Sequence, residues 1–194
     1  MNSLKSLAAG IGFVLVASAV SAQEWVIDGA SSSVAFGSVK KDVAGETHAF
    51  TSVSGRVDHE GAATITVSLG SVETNIEVRN ERIVEHVFHG MDMASVTGQL
   101  DMATIEALGI GEMAPIYVNA TLHLMGNDVG FDAPMIAVRL SETRAMVVSD
   151  GMAYISTEDM GIDAGIDMLM ELASLPSITR TVPITVRLVF DLHE

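Results

Sequence analysis

Between Ile116 and Leu124 the even positions are all apolar (Ile116, Val118, Ala120, Leu122, Leu124) and the odd ones carry Tyr117, Asn119, Thr121 and His123. The last segment repeats the pattern: Val182, Ile184, Val186, Leu188, Phe190 and Leu192 alternate with a mostly polar set. Successive strand side chains point to opposite faces, so each segment has one face suited to an apolar interior. Ser33–Val39, with Val34 and Phe36 in phase, reads as a strand, and Thr47–His59, with Phe50, as a longer one broken at Gly55. A turn around Glu60-Gly61 leads into Ile65, Val67 and Leu69, which alternate with Thr64, Thr66 and Ser68 as the return arm of a hairpin. Ser95–Met102, a hairpin of Tyr117–Met125 and Val129–Leu140 turning at Gly126-Asn127, Arg144–Thr157 and Thr181–Asp191 complete about eight strands. The fold class is all-β and antiparallel, closing into a sandwich or a barrel.

Two short helices interrupt the strands. Thr74-Asn75-Ile76-Glu77 has the form of a capping box, with Thr74 as N-cap. Ile76, Ile83, Val84, Val87 and Phe88 then share one face at helical spacing, and Gly90 supplies a stop. Asp163–Ala173 places Ile166, Leu169, Met170 and Ala173 on one face and ends before Leu175-Pro176. Ala103–Leu108 reads as a helical turn. These helices are expected to cover a barrel end or a sheet edge, or to mate with a second copy in a homodimer.

Residues 1–22 have the form of an export signal. Lys5 is the positive residue, Leu7–Val20 is a short apolar run, and Val20-Ser21-Ala22 offers small residues before a cut at Gln23. The alternative is an uncleaved N-terminal anchor. No later segment is long and apolar enough to span a bilayer, so no stable membrane anchor is expected in the body of the protein. Residues 23–194 suit one domain with a sizeable core.

Composition narrows the chemistry. Ten Lys and Arg against 25 Asp and Glu give a formal charge of −15, which repels nucleic acid and anionic membrane surfaces. There are no cysteines, so thiolate metal sites, iron–sulfur clusters and thiol catalysis are excluded. All methionines except Met1 lie between Met91 and Met170. They are either ordinary core or a pliable apolar pocket lining, with Met91-x-Met93 and Met168-x-Met170 a weak hint of soft-metal binding. Among the six histidines, His86 and His89 sit at metal-ligand spacing, but no third ligand is indicated and surface histidines are commoner. Asp159, Asp163 and Asp167 recur every fourth residue and read as an acidic edge or an N-cap. No nucleophile elbow, phosphate loop or dinucleotide fingerprint is present, so no catalytic residue and no metal site is assigned.

Several stretches, in order, resemble the YceI-like family. Trp25-Val26-Ile27-Asp28 followed by Ser33-Val34-Ala35-Phe36 is similar to that family's opening. Ser71-Val72-Glu73-Thr74-Asn75 with Arg79-Asn80 resembles its approach to the helix. Val96-Thr97-Gly98-Gln99-Leu100, Leu122-His123-Leu124-Met125-Gly126, Glu158-Asp159-Met160-Gly161-Ile162 and the closing strand follow suit. The chain departs from the family at Arg79-Asn80-Glu81-Arg82-Ile83, at Phe88, which stands alone where the family has paired Phe, and at Met125. The resemblance implies a lipocalin-like antiparallel β-barrel in the bacterial periplasm. It also implies a non-enzymatic binding protein that holds a polyisoprenoid or isoprenoid quinone, a long-chain apolar lipid, without any other cofactor.

An eight-stranded barrel can be filled by its own side chains or stay hollow, and the alternation does not decide between them. If it is hollow, the lining is the apolar phase: Phe36, Phe50, Ile65, Val67, Leu69, Val118, Leu122, Leu124, Val186, Leu188 and Phe190. Arg79 and Arg82, one helical turn apart, either meet a head group at the mouth or form a solvated face paired with Glu81 and Glu85. The negative charge favours a neutral head over a phosphorylated one. Two other readings stay open: a closed barrel acting as an interaction or assembly partner, and a divalent-metal protein built on the histidines.

Overall fold

The computed structural model describes residues 23–193. Twelve strand segments and three short α-helices follow one another: β1 (Glu24–Ile27), β2 (Ser33–Lys40), β3 (Ala44–Phe50), β4 (Val53–Val57), β5 (Ala62–Ser68), β6 (Val72–Glu73), α1 (Glu77–Arg82), β7 (Met93–Gln99), α2 (Met102–Glu106), β8 (Met113–Leu124), β9 (Asn127–Arg139), β10 (Arg144–Ser149), β11 (Ala153–Ser156), α3 (Asp163–Leu172) and β12 (Thr181–His193). All pairings are antiparallel. The order β1-β4-β5-β7-β8-β9-β10-β12 closes on itself through β1–β12, which makes a closed barrel of eight strands with extra segments.

The extra segments are continuations of the wall. β12 pairs with β1 through its C-terminal half (Phe190↔Ile27) and with β2 through its N-terminal half (Ile184↔Phe36). On its other side it pairs likewise with β10 and then β11. β1–β2 and β10–β11 are therefore each one wall strand with a break, and β3–β4 is a third. The break in Thr47–His59 falls at Thr51-Ser52, not at the expected Gly55, which lies inside β4. Thr51 and Ser52 turn aside because their amides bond to Ser71, at 3.2 Å to its carbonyl and 3.0 Å to its hydroxyl.

The β8–β9 hairpin turns on Met125-Gly126, one residue before the expected pair, because Leu124 pairs directly with Asn127. Both turn residues have positive φ (53° and 82°), the mirror-image turn whose twist matches the strands and which favours glycine.

The capping box does not form. Ile76 occupies the N-cap position, and the Thr74 side chain and amide instead both bond to the Asn80 side chain, at 2.6 and 2.9 Å. The helix then widens into a π-turn over Ile83–Val87, burying Ile83, Val87 and Phe88, and it ends as expected at Gly90 (φ 71°). Ile76, expected on the buried face, is exposed. Gly165 in α3 lies against the π-turn so closely that a Cβ there would come within 2.6 Å of the Val87 Cα. The two helical segments thus form one packed layer across the barrel.

The interior divides into two apolar clusters. One gathers Trp25, Ile27, Val57, Ile105, Ile116, Ala137, Ala145 and Phe190. The other gathers Leu69, Ile83, Val87, Phe88, Leu122, Leu124, Met160 and Ile162 beneath the helices.

Candidate functional site

Between these clusters lies a cavity of about 600 Å³ with an almost wholly apolar lining, within the ~300–1,000 Å³ typical of small-molecule sites. The inward phase of every wall strand contributes. All eleven apolar positions read from the alternation (Phe36, Phe50, Ile65, Val67, Leu69, Val118, Leu122, Leu124, Val186, Leu188 and Phe190) face it, as do Arg79 and Arg82.

The void exists because small residues meet across the sheet. Ala63 on β5 is paired with Gly98 on β7, and Gly98 with Ala120 on β8, while Ala133 on β9 stands opposite Val118. All of these line the cavity. The wall's radius is fixed by strand number, so a row of minimal side chains leaves space that larger ones would fill. The alternation shows which face is apolar but not where the small residues align, because that depends on register between strands distant in sequence.

One wall is aromatic. Phe36 and Phe50 stack at 5.2 Å between centroids, Phe50 meets Phe88 at 6.1 Å, and Phe36 meets the His48 ring at 5.2 Å. The cavity opens between α1, α3, the segment 175–179 and the β2–β3 turn, where Ile76, Val78, Ile166, Leu169, Ala173, Leu175 and Ile178 line it. Ile76 and Val78 are exposed at this mouth.

The mouth is held by polar contacts. Thr157, fully buried, donates to the Asp163 carboxylate, and Arg180 donates to the Asp163 carbonyl at 3.0 Å and to the Asp167 carboxylate. These bonds moor the start of α3 through Asp163 and Asp167, which stay partly to largely solvent-exposed as an acidic edge; Ile162 takes the N-cap position and Asp159 precedes the helix.

A polar cluster sits on β2 and β3 at the same end. Glu46 accepts from Lys40 Nζ at 2.7 Å and from Arg79 Nη1 at 2.8 Å. Arg79 Nη2 donates to the Thr74 carbonyl at 2.6 Å. Arg79 therefore pairs with a carboxylate of the wall, not with Glu81 or Glu85. Lys40, then Arg79, hold the Glu46 carboxyl below its ordinary range against the opposing effect of burial.

His48 belongs to this cluster. It is 6 % exposed, faces the cavity, and has Nε2 3.1 Å from Ser38 Oγ. Burial pushes its pKa down, and the Arg79 charge adds to this while Glu46 opposes it. Ser38, Lys40, Glu46 and His48 were passed over in the sequence because a polar residue in an apolar phase is invisible until the strands are paired.

The methionines divide by position. Met91, Met93, Met113, Met152 and Met168 are exposed, and only Met135 and Met160 line the cavity. Among the described residues no three His, Asp or Glu side chains converge as a metal site, and no helix is long and apolar enough to cross a membrane. A hydrogen-bonded row of Thr97, His123 and Asp128, at 2.9 and 2.6 Å, runs across paired strands of the wall. It lacks the enclosed concavity that substrate chemistry needs, since Asp128 is 73 % exposed.

Comparison with known proteins completes the picture. No curated protein matches the chain. A solved polyisoprenoid-binding domain from Saccharophagus degradans, described as implicated in plant cell wall breakdown, is 36% identical. The match covers 86% of this chain and 97% of that one, with a TM-score of 0.83. Burkholderia cenocepacia BcnA shares the fold at 17% identity and a TM-score of 0.62, over 84% of this chain and 98% of its own. The YceI-like domain profile matches residues 25–190, nearly the whole barrel, in keeping with the opening Trp25 and the closing β12 strand. The chain belongs to the YceI-like family.

Proposed function

We propose that the barrel binds and carries a long apolar lipid, a polyisoprenoid or isoprenoid quinone, as a binding protein and not as an enzyme. The observation that carries this reading is the cavity itself: about 600 Å³, apolar over nearly all of its lining, and reached past the exposed side chains of Ile76 and Val78. An isoprenoid tail has no polar handle, so its affinity must come from apolar area removed from water, about 25 cal/mol per Å². Each 100 Å² of tail buried against Phe36, Phe50, Leu122 or Val186 would then contribute roughly 2.5 kcal/mol before ordering costs. The solved polyisoprenoid-binding domain, 36% identical over nearly its full length, supports the same ligand class.

The reading includes export to the periplasm by removal of residues 1–22, with residues 23–194 as the mature domain. The helical layer acts as a lid on the barrel, which favours a carrier over an assembly partner with a filled interior. The experiment is organic extraction and mass spectrometry of the protein purified from its own host, with N-terminal sequencing of the fractionated material. A stoichiometric isoprenoid lipid and a mature start at Gln23 are the expected results. Protein that carries no lipid, and takes none up from isoprenoid micelles, would end the carrier reading.

A further inference from the structure

The polar cluster at the cavity's open end contains two buried atoms with no hydrogen-bond partner among the described residues: His48 Nδ1 and Arg79 Nε. Leaving such groups unpaired costs about 1–3 kcal/mol each, so their survival in an otherwise apolar lining calls for a partner. Both residues line the cavity, and the Arg79 charge acts on His48, so the two are neighbours.

The arrangement selects the kind of partner. A phosphate is best gripped by the two-pronged end of a guanidinium. In Arg79 both prongs are already engaged: Nη1 donates to Glu46 and Nη2 to the Thr74 carbonyl. Lys40 is likewise committed to Glu46, whose carboxylate would repel an anion. The buried atoms left with no partner at all among the described residues are Arg79 Nε and His48 Nδ1; Arg82 also lines the cavity.

The Ser38 hydroxyl facing Nε2 can either donate or accept. If it donates, Nδ1 carries the proton and is a donor; if it accepts, Nδ1 is bare and is an acceptor. The site can therefore meet a carbonyl or a hydroxyl with the same residues.

We propose that Arg79, His48 and Ser38 form a head-group subsite for a neutral oxygen function, carbonyl or hydroxyl, on the lipid whose tail fills the cavity. This rests on the reading of the cavity as a lipid site. Charged phosphorylated heads are disfavoured by the Glu46 carboxylate, which accepts from Arg79 Nη1 and from Lys40.

The test titrates the purified, delipidated protein with saturated diterpenoids that share one tail and differ at the terminus: phytane, phytanal, phytanol and phytanyl phosphate. The aldehyde and the alcohol are expected to bind about tenfold more tightly than the hydrocarbon, and the phosphate no more tightly than the alcohol. His48→Phe removes that advantage, so that the variant binds the aldehyde and the alcohol no more tightly than it binds the hydrocarbon. Glu46→Gln removes the negative charge that faces the site and raises phosphate affinity about tenfold. Nitrogen NMR of the His48 ring in the unaltered protein needs no variant: Nδ1 shifts with the aldehyde and the alcohol but not with phytane. Equal binding of all four probes, tightest binding of the phosphate, or an unmoved Nδ1 overturns the subsite while leaving the tail reading intact. Failure of every probe, phytane included, takes down both.

Discussion

The two ends of the barrel are built on the same eight strands and do opposite things. At the closed end, Trp25, Ile27, Ile116 and Phe190 converge with Ile105 from α2, and Arg139 lies over the Trp25 ring at 5.1 Å. Arg144 ties the edge outside by donating to Asp191 at 2.7 and 2.9 Å and to Asp28 and Ser31. Next to that cluster the same wall carries Ala63, Gly98, Ala120 and Ala133, whose small side chains leave the cavity, and at the open end the covering helices lean on each other through Gly165 and the π-turn. Backbone geometry is thus common to both ends, and side-chain volume alone separates a core from a container. Stability is concentrated where packing is complete, and binding where it is deliberately incomplete.

Trp25→Ala should be the most damaging change, costing about 3–5 kcal/mol of unfolding free energy because it empties the closed end. Ile116→Ala should fall in the upper part of the ~2–5 kcal/mol range for such truncations. The same substitution at Ile184, whose side chain already borders the void, should cost less than about 2 kcal/mol, since few contacts are lost. Chemical denaturation of the three variants checks the order, and equal costs at Ile116 and Ile184 would erase the contrast between the ends.

Ala120→Phe runs the contrast the other way. The added ring enters existing space, so stability should change by less than about 1.5 kcal/mol, while isoprenoid uptake should fall at least about tenfold, as read by lipid retention after extraction. A variant that still retained lipid fully would show that the tail does not pass the alanine–glycine row.

Acid should separate the ends in two steps. At the open end His48 has its folded pKa pushed below the ordinary 6.5 by burial. The unfolded chain therefore takes up the proton first, and stability drops as pH falls from about 6.5 toward the folded value. At the closed end the Ser31 hydroxyl and the Arg144 guanidinium hold Asp28 at about 2 against an ordinary 3.8. Its contribution is complete above 3.8 and disappears as pH falls through that value to about 2. Thermal denaturation across pH should show the first step vanish in His48→Phe and the second shrink in Asp28→Asn.

The smallest effect is expected outside both ends. Met93→Gln, on an exposed strand position, should move stability by no more than about 0.5 kcal/mol. A larger loss would mean that the outer wall contributes to the core in a way its exposure does not suggest.

Much of the barrel could be read in advance because alternation is a local property. A strand such as β8 shows its two faces within nine residues, from Ile116 to Leu124. The Met125-Gly126 hairpin and the stop at Gly90 were legible to within a residue for the same reason: turn chemistry is carried by the residues that turn. The capping box misled because Thr74 had a better partner in Asn80, and a local motif cannot weigh a competing contact. The methionines stayed open because residue type says what can pack, not which face of a strand it occupies.

By itself, then, the order of residues determined the strand faces, the antiparallel barrel class and the family. Only the tertiary structure decided that the barrel is hollow, that it opens under α1 and α3, and that His48 is buried beside Arg79. The physical reason is register: a void needs small residues brought side by side from strands far apart in the chain. A buried polar pair likewise needs two elements to meet, and neither coincidence is written in any single stretch of sequence.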